Sequence, residues 1–492
     1  MTETAKKKRG MPSSFTILLA LLAIVAVVTV IVSGTSGGAV TAARLSDFCT
    51  APILGFADAL PVCLFVMILG GFLGMMTETG ALDNGIAVLV QKLKGNEIML
   101  IPVLMLIFSL GGTTYGMCEE TVPFYALLAA TMMAAGFDPM VGAATVLLGA
   151  GCGCLGSTVN PFAVGAAVDA LTGVDIAVNQ SIIIGLGAVL WLVTTVMSIV
   201  FVMSYAKKVK ADKGSTILSM QELKDAEEAH GKAASEVHKE VKLTGRQKGV
   251  LIAFAFTFVV MIVGFIPLAD LNEGVANFFD AGAVYDADGN AVVQGWSALI
   301  TGLPIGQWYF DEASTWFFLM AVLIGIIGGL SEKQIVNTFI TGAADMMSVV
   351  LVIALARGIS VLMANTGLDV FVLDAAANAL AGLSGVIFAP MSFLVYFGLS
   401  FLIPSTSGMA TVSMPIMGPL AVKLGFSPEV MVMIFSAAIG VVNLFTPTSG
   451  AIMGGLALAK IEWTTWLKFA LKLIVALSVV CAVILTVACV LL

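Results

Sequence analysis

Apolar positions run through this chain in long uncharged stretches, separated by short polar breaks. Stretches near or above the ~18–20 residues needed to cross hydrocarbon recur from end to end. They predict continuous spans over residues 15–33, 53–76, 180–204, 249–268, 313–330, 345–364 and 465–491. Longer spans at 138–172 and 428–459 are interrupted by polar residues. Segments 97–135 and 384–422 each carry a polar turn in mid-course, and residues 82–94, ending in Lys92 and Lys94, read as a short helix on the inner surface. Phe15 to Val32 follows a basic tail and precedes small residues, as in a secretory signal. Its apolar part is longer than a usual signal and the rest of the chain is polytopic, so it reads as the first span.

Composition agrees: of 492 residues, 59% are hydrophobic and 11% charged, with mean hydropathy +1.05. A soluble domain carries about 25% charged residues, so the bilayer is the solvent this chain suits. The seven Cys form no disulfide or zinc pattern, Cys152 and Cys154 having the wrong spacing for a CxxC pair. His230 and His238 share one polar segment, which excludes an intramembrane histidine relay. There is no HExxH and no Ser/His/Asp set, so the sequence predicts no enzyme, no cofactor and no nucleic-acid partner. The six Trp lie mostly near span ends and read as interface anchors.

Charge sets the topology. The stretch 205–248 carries ten of the 23 Lys and Arg and the N-terminal tail four more, whereas 249–332 has none. Asp270, Glu273, Asp280, Asp286, Asp288, Asp311 and Glu312 fall in that basic-free region. The positive-inside rule puts the tail (1–14) and the 205–248 linker in the cytoplasm, the acidic loop 269–312 outside and the C-terminus outside. Parity then requires 97–135 and 384–422 to enter and leave on one side each, as re-entrant helical hairpins. The linker's mixed charges suit a solvated helix or a tether.

The halves repeat. Glu78 to Asp83 matches Asn365 to Asp369, and Gly136-Phe137-Asp138-Pro139 matches Gly425-Phe426-Ser427-Pro428. Between these landmarks lie hairpin tips LGGTTYGMCEETVP (110–123) and IPSTSGMATV (403–412). After them come the breaks Gly153 to Pro161 and Asn443 to Gly450. Matched spans run in opposite directions, giving an inverted repeat: 15–204, and 249–491 with an extra span. The fold class predicted is an all-α polytopic membrane protein with two re-entrant hairpins and two discontinuous transmembrane helices. Paired interrupted segments in corresponding positions are the sequence sign of a transporter site. Bare backbone at membrane depth is tolerated where it lines a cavity, and helix ends offer partial charges to ions. Candidate lining residues are Thr113, Thr114, Ser157, Thr158 and Asn160 from one half, with Ser405, Thr406, Ser407, Thr446, Thr448 and Ser449 from the other. A coupling Na⁺ would find oxygens near Gly112, Thr113, Ser157 and Asn160, and near Ser405, Thr406 and Thr446. A proton is the other coupling ion considered.

The duplicated tips and broken spans resemble the ion transporter superfamily. Within it, GGTTYGMCEET (111–121) and GSTVNPF (156–162) are most similar to the YfcC-like branch, related to DcuC-type C4-dicarboxylate carriers and ArcD-type basic amino acid antiporters. That resemblance covers about 15–491 and implies a homodimer in a prokaryotic inner membrane, with a scaffold and a body that carries the hairpins across by an elevator movement. The Ser-Asn-Thr triplets of dicarboxylate symporters are missing from the tips.

Intramembrane charge is costly and marks function. Glu119 and Glu120 occupy the first tip and Arg357 lies past the middle of span 345–364. Asp345 reads as interfacial, and Glu78 and Asp83 as caps. Adjacent carboxylates repel and need a cation: a substrate ammonium or guanidinium, Na⁺, a proton or Arg357. Neighbouring helical residues diverge by some 100°, so one carboxylate faces the substrate while the other caps or packs. The expectation is a secondary transporter exchanging basic amino acids such as arginine and ornithine, the second tip taking the α-carboxylate. The alternatives are a Na⁺- or H⁺-coupled dicarboxylate carrier with Arg357 as anion ligand, a structural Glu–Arg357 pair locking the tip, and a passive channel.

Overall fold

The computed structural model describes residues 14–82, 84, 85, 88, 96–236, 242–266, 268–271, 273–286, 291–403 and 405–492. The basic tail, Asp83, Lys92, Lys94, His238 and most of the expected surface helix 82–94 lie outside the described residues. Among those described, 8 helices are long and apolar enough to cross a membrane. Seven coincide with the continuous spans read from the sequence, and Glu97–Tyr115 holds the first arm of segment 97–135.

Helix α1 is Ser14–Ser33. The expected span 53–76 is instead two helices, α2 (Leu45–Asp58) and α3 (Leu60–Glu78). Pro61 enters at the start of α3, where a missing N–H costs nothing, and ends the run before it. Next come α4 (Leu100–Tyr115) and α5 (Val122–Ala134), joined by the tip, then α6 (Pro139–Leu155) and α7 (Ala166–Thr172), separated by the first break. Helix α8 (Gln180–Ala211) leads to the linker helix α9 (Met220–Glu236), α10 (Gly245–Phe265) and α11 (Phe310–Gly328). The loop before α11 contains a small antiparallel ladder, Val284–Tyr285 with Ala291–Val293. The expected span 345–364 is also the second piece of a pair, α12 (Glu332–Asp345) and α13 (Met347–Thr366). The order closes with α14 (Leu368–Leu380), α15 (Gly385–Leu402), α16 (Thr406–Lys423), α17 (Pro428–Val442), α18 (Gly450–Leu458) and α19 (Trp463–Leu491).

Two crossings fix the split helices, and each needs a glycine. A Cβ on Gly55 of α2 would lie 2.3 Å from both Ala354 O and Gly358 N of α13. A Cβ on Gly342 of α12 would lie 2.4 Å from Gly70 O of α3. Small residues let backbones approach where lipid supplies no hydrophobic drive. Gly55 and Gly342 begin the tetrapeptides Gly55-Phe56-Ala57-Asp58 and Gly342-Ala343-Ala344-Asp345, each ending at its break. The same spacing, 287 positions, separates Cys63 from Val350, and those two touch, Cys63 Sγ lying 3.8 Å from Val350 O. Rings of Phe65, Phe72, Phe254, Phe258 and Phe317 interlock α3, α10 and α11 at centroid distances of 4.9–6.1 Å.

The GF(D/S)P landmarks are helix starts. Gly136 and Gly425 adopt φ of 86° and 81°, ending the preceding helices in the left-handed region that glycine tolerates. Asp138 then caps α6 by accepting from Val141 N at 3.1 Å, and Ser427 caps α17 by accepting from Val430 N at 3.4 Å, each ahead of a proline.

The linker helix is docked. Glu222, Ala226 and His230 recur every fourth residue on α9 and are all buried. Glu222 accepts from Ser219 N at 2.8 Å and from Glu462 N, at the start of α19, at 2.9 Å. His230 Nε2 lies 3.1 Å from the Leu458 carbonyl at the end of α18, which fixes it as the N–H donor. Before α9, Tyr205 and Thr216 donate to Asp138 at 2.6 and 2.7 Å. Burial holds the His230 imidazole below its ordinary value of 6.5, against the Leu458 contact and with help from Lys460.

Candidate functional site

A cavity of about 170 Å³ gathers both tips, both broken helices and the α2/α3 break, while the α12/α13 break stays outside it. Gly116 to Thr121 enter it from the first tip, Ser405 to Ser407 from the second, Asn160, Phe162 and Ala163 from the first break, and Asn443 and Thr448 to Ile452 from the second. Ala59 and Val62 come from the α2/α3 break and Arg357 from α13. These segments meet because each helix stops there.

The first tip is shaped by glycine and by its own acids. Gly116 turns the chain at φ 80°, and a Cβ on it would lie 2.6 Å from Asn160 Oδ1. Glu120 is buried and accepts from Cys118 N at 3.0 Å, while Glu119 beside it is half-buried. One carboxylate therefore caps the turn, and both line the cavity.

The ends of the broken helices differ. Asn160 accepts from Phe162 N at 2.9 Å and Ala163 N at 3.3 Å, so its own side chain takes up the amides after the first break. Ser449, at the start of α18, makes no such cap bond, and Gly450, Ala451 and Ile452 line the cavity. That helix start leaves backbone N–H groups for a ligand anion. Ser405 does cap α16, accepting from Gly408 N at 3.1 Å.

Of the residues named from sequence, Glu119, Glu120, Asn160, Arg357, Ser405, Thr406, Ser407, Thr448 and Ser449 line the cavity. Thr113, Thr114, Ser157, Thr158 and Thr446 do not, their hydroxyls bonding to neighbouring protein groups. Thr113 Oγ1 donates to Gly156 O at 2.6 Å, and Thr158 Oγ1 donates to Thr113 O at 3.0 Å, sewing the tip to the first break. Ser157 donates to Cys154 O at 2.6 Å and accepts from Asn160 Nδ2 at 3.0 Å. Thr114 donates to Leu110 O at 2.7 Å within its own helix. The hydroxyls of Thr446 and Thr448 bond to each other at 2.7 Å.

Two features depart from the sequence reading and a third adds to it. Arg357 pairs with Asp58, Nε to Oδ2 at 3.0 Å, rather than with a glutamate of the tip. The signal for Asp58 was available: it ends the tetrapeptide that Asp345 ends in the other half. Asp345 closes α12 at a helix break and is exposed there, rather than opening the following span. Trp463 and Trp466 turn onto the second break. Their indole N–H groups donate to Phe445 O at 2.7 Å and Leu444 O at 2.8 Å, satisfying carbonyls that the second break leaves free, and Trp466 is fully buried. Cys118, Cys154, Tyr125, Phe162, Phe310, Ser436 and Asn443 also line the cavity and were not singled out.

Known proteins place the chain. The family described as "DcuC: C4-dicarboxylate anaerobic carrier" matches residues 11–490. The Escherichia coli (strain K12) protein YfcC, whose designation as a basic amino acid antiporter is itself provisional, is 27% identical over 87% of this chain and 77% of its own. An uncharacterised protein of Haemophilus influenzae is 28% identical over 90% of this chain and 78% of its own. Among solved structures, the YdaH transporter of Alcanivorax borkumensis matches with a TM-score of 0.47 and 15% identity, over 96% of this chain and 97% of that one. The chain belongs to the C4-dicarboxylate anaerobic carrier family as a YfcC-like, multi-pass membrane transporter.

Proposed function

We propose that this chain is a secondary transporter that exchanges basic amino acids by elevator-type alternating access. The observation that carries the reading is the cavity itself, which joins two carboxylates at one tip to an uncapped helix start in the other half. Glu119 and Glu120 take the side-chain cation of an arginine- or ornithine-like substrate. The amides at the start of α18 and the hydroxyls of Ser405, Ser407 and Ser449 take its carboxylate. The name given to YfcC favours the same class.

Helices α4/α5 and α15/α16 act as re-entrant hairpins of an inverted repeat. Support comes from the constant spacing: α2 and α12 begin at Leu45 and Glu332, end at Asp58 and Asp345, and are followed by α3 and α13 from Leu60 and Met347, all 287 positions apart as Cys63 and Val350 are. The moving body is the two hairpins with α6, α7, α17 and α18, and the scaffold is the split pairs with α10 and α11. The protein works as a homodimer in a prokaryotic inner membrane, with the linker and N-terminus cytoplasmic and the C-terminus outside. Exchange of one cationic substrate for another needs no coupling ion.

The second reading, a Na⁺- or H⁺-coupled C4-dicarboxylate carrier, is favoured by the family's description and by Arg357 on the cavity wall. Two carboxylates in the same cavity would repel a dianion. Proteoliposomes loaded with ornithine and given labelled arginine separate the two. Exchange that Glu120→Gln abolishes supports the amino acid reading. Succinate or fumarate uptake without amino acid exchange overturns it.

A further inference from the structure

We propose that Asp58 is a specificity-determining residue of this site: it holds Arg357 back from the tip carboxylates and so sets the charge that the cavity accepts. The inference rests on the basic amino acid reading above and adds to it a residue that does not itself line the cavity.

Asp58 is the last residue of α2, where the negative end of the helix dipole disfavours a carboxylate. Its position therefore calls for a cation, and Arg357 supplies one at 3.0 Å. Arginine keeps its charge in any protein setting. The guanidinium lines the same cavity as Glu119 and Glu120. Without Asp58, that guanidinium would be a cation beside two acids, and would serve as a built-in substitute for the substrate's own cation. With Asp58 in place, its charge is matched on the scaffold side and the two glutamates keep theirs for the ligand.

The repeat shows that the pair is an addition rather than a requirement of the break. Asp345, 287 positions on, ends α12 at the matching break, but at the position matching Arg357 stands Gly70. At the same spacing, Glu119 and Glu120 correspond to Thr406 and Ser407. All three charges lining the cavity thus lie at positions whose counterparts are uncharged. Glu119 and Glu120 come from the first half and Arg357 from the second, so the set is asymmetric under the repeat, as expected if the three work together.

The test measures competition between arginine and citrulline, its neutral isostere, in proteoliposomes exchanging labelled arginine. Wild type should prefer arginine, Asp58→Asn should lower that preference by roughly tenfold or more, and Asp58→Glu should restore it. Should Asp58→Asn not fold, the double variant Asp58→Asn, Arg357→Gln removes both charges and leaves no unpaired cation. It should keep the wild-type preference within about threefold, half a decade on the same scale. An unchanged preference in a folded Asp58→Asn, or a double variant that has lost discrimination, overturns the proposal while leaving the amino acid reading intact. A wild type that shows no preference for arginine overturns that reading, and the proposal with it.

Discussion

Gly112→Ala tests the geometry of the first tip with one methyl group. The added Cβ would lie 2.2 Å from Ala150 O, 2.8 Å from Cys154 N and 2.9 Å from Gly153 Cα, all backbone of α6. Reaching an ordinary 3.4 Å from that carbonyl requires α4 to back away by roughly 1.2 Å, the difference between 2.2 and 3.4 Å. Such a shift takes Thr113 out of bonding range of Gly156 O, now at 2.6 Å, and loosens the Thr158 to Thr113 bond, now at 3.0 Å. Two hydrogen bonds at about 0.5–1.5 kcal/mol each and an overpacking term of about 1–3 kcal/mol oppose a helix-propensity gain of about 0.5–1 kcal/mol, leaving a net loss of about 1–5.5 kcal/mol. The tip would be displaced with the helix, so arginine exchange should fall at least tenfold, consistent with the large cost of ångström-scale misplacement. Detergent-solubilised melting temperature and proteoliposome exchange measure the two effects. Gly398→Ala, in α15, is the control, because among the described residues nothing lies within 4 Å of its Cβ position. A Gly112→Ala protein that melts and transports like the Gly398→Ala control would refute the close-packing argument.

Other consequences are simpler to state. His230 is held below 6.5 in the docked linker. Above 6.5 it is neutral whether docked or free, and docking is at full strength. As pH falls below 6.5, the free form takes up a proton that the docked form resists, so docking weakens. Hydrogen-exchange protection over 220–236, corrected for the intrinsic pH dependence of exchange, should fall between pH 7.5 and 5.5 in wild type, and this fall should shrink in His230→Gln; an equal response in both would remove His230 as the cause. Asp138→Ala removes the α6 cap and leaves Tyr205 and Thr216 without their acceptor. It should cost about 1–3 kcal/mol, read as a lower melting temperature, and an unchanged melt contradicts this. Cys118 and Cys154 line the cavity, so in a Cys49→Ser background arginine should slow their labelling by a small maleimide. Equal rates with and without arginine would argue that the ligand sits elsewhere.

What the sequence made legible was whatever breaks an apolar run. The tips, both interrupted helices and the charged residues announce themselves because Gly, Pro, Thr and Glu are out of place at membrane depth, and nine of the fourteen residues named from them line one cavity. The split at Asp58–Leu60 was missed because Asp58 is the one charge in the run 51–76, and a window that averages apolarity sees one helix where there are two. The hydroxyls divide between two roles for a related reason. A Thr or Ser at a broken helix can face a ligand or repair the break, and Thr113, Ser157 and Thr158 do the second by bonding to the carbonyls of Gly156, Cys154 and Thr113. The same need explains Trp463 and Trp466, whose roles no periodicity could assign.

The two breaks are repaired by different means, and the difference bears on where a ligand anion can bind. At the first, Asn160 turns its own amide oxygen onto the N–H groups of Phe162 and Ala163, and its nitrogen onto Ser157. That end is electrostatically spent before any substrate arrives. At the second, indoles from α19 satisfy the carbonyl side, and the amide side beyond Ser449 has no side-chain cap. An inverted repeat would offer two equivalent anion sites, but only one is left open, and it belongs to the half without acids at its tip. A zwitterion with a distal cation fits that polarity, its carboxylate on α18 and its cation on Glu119 and Glu120. A dicarboxylate has one anion site to use and must place its other end among like charges, and on that count the cavity favours the amino acid.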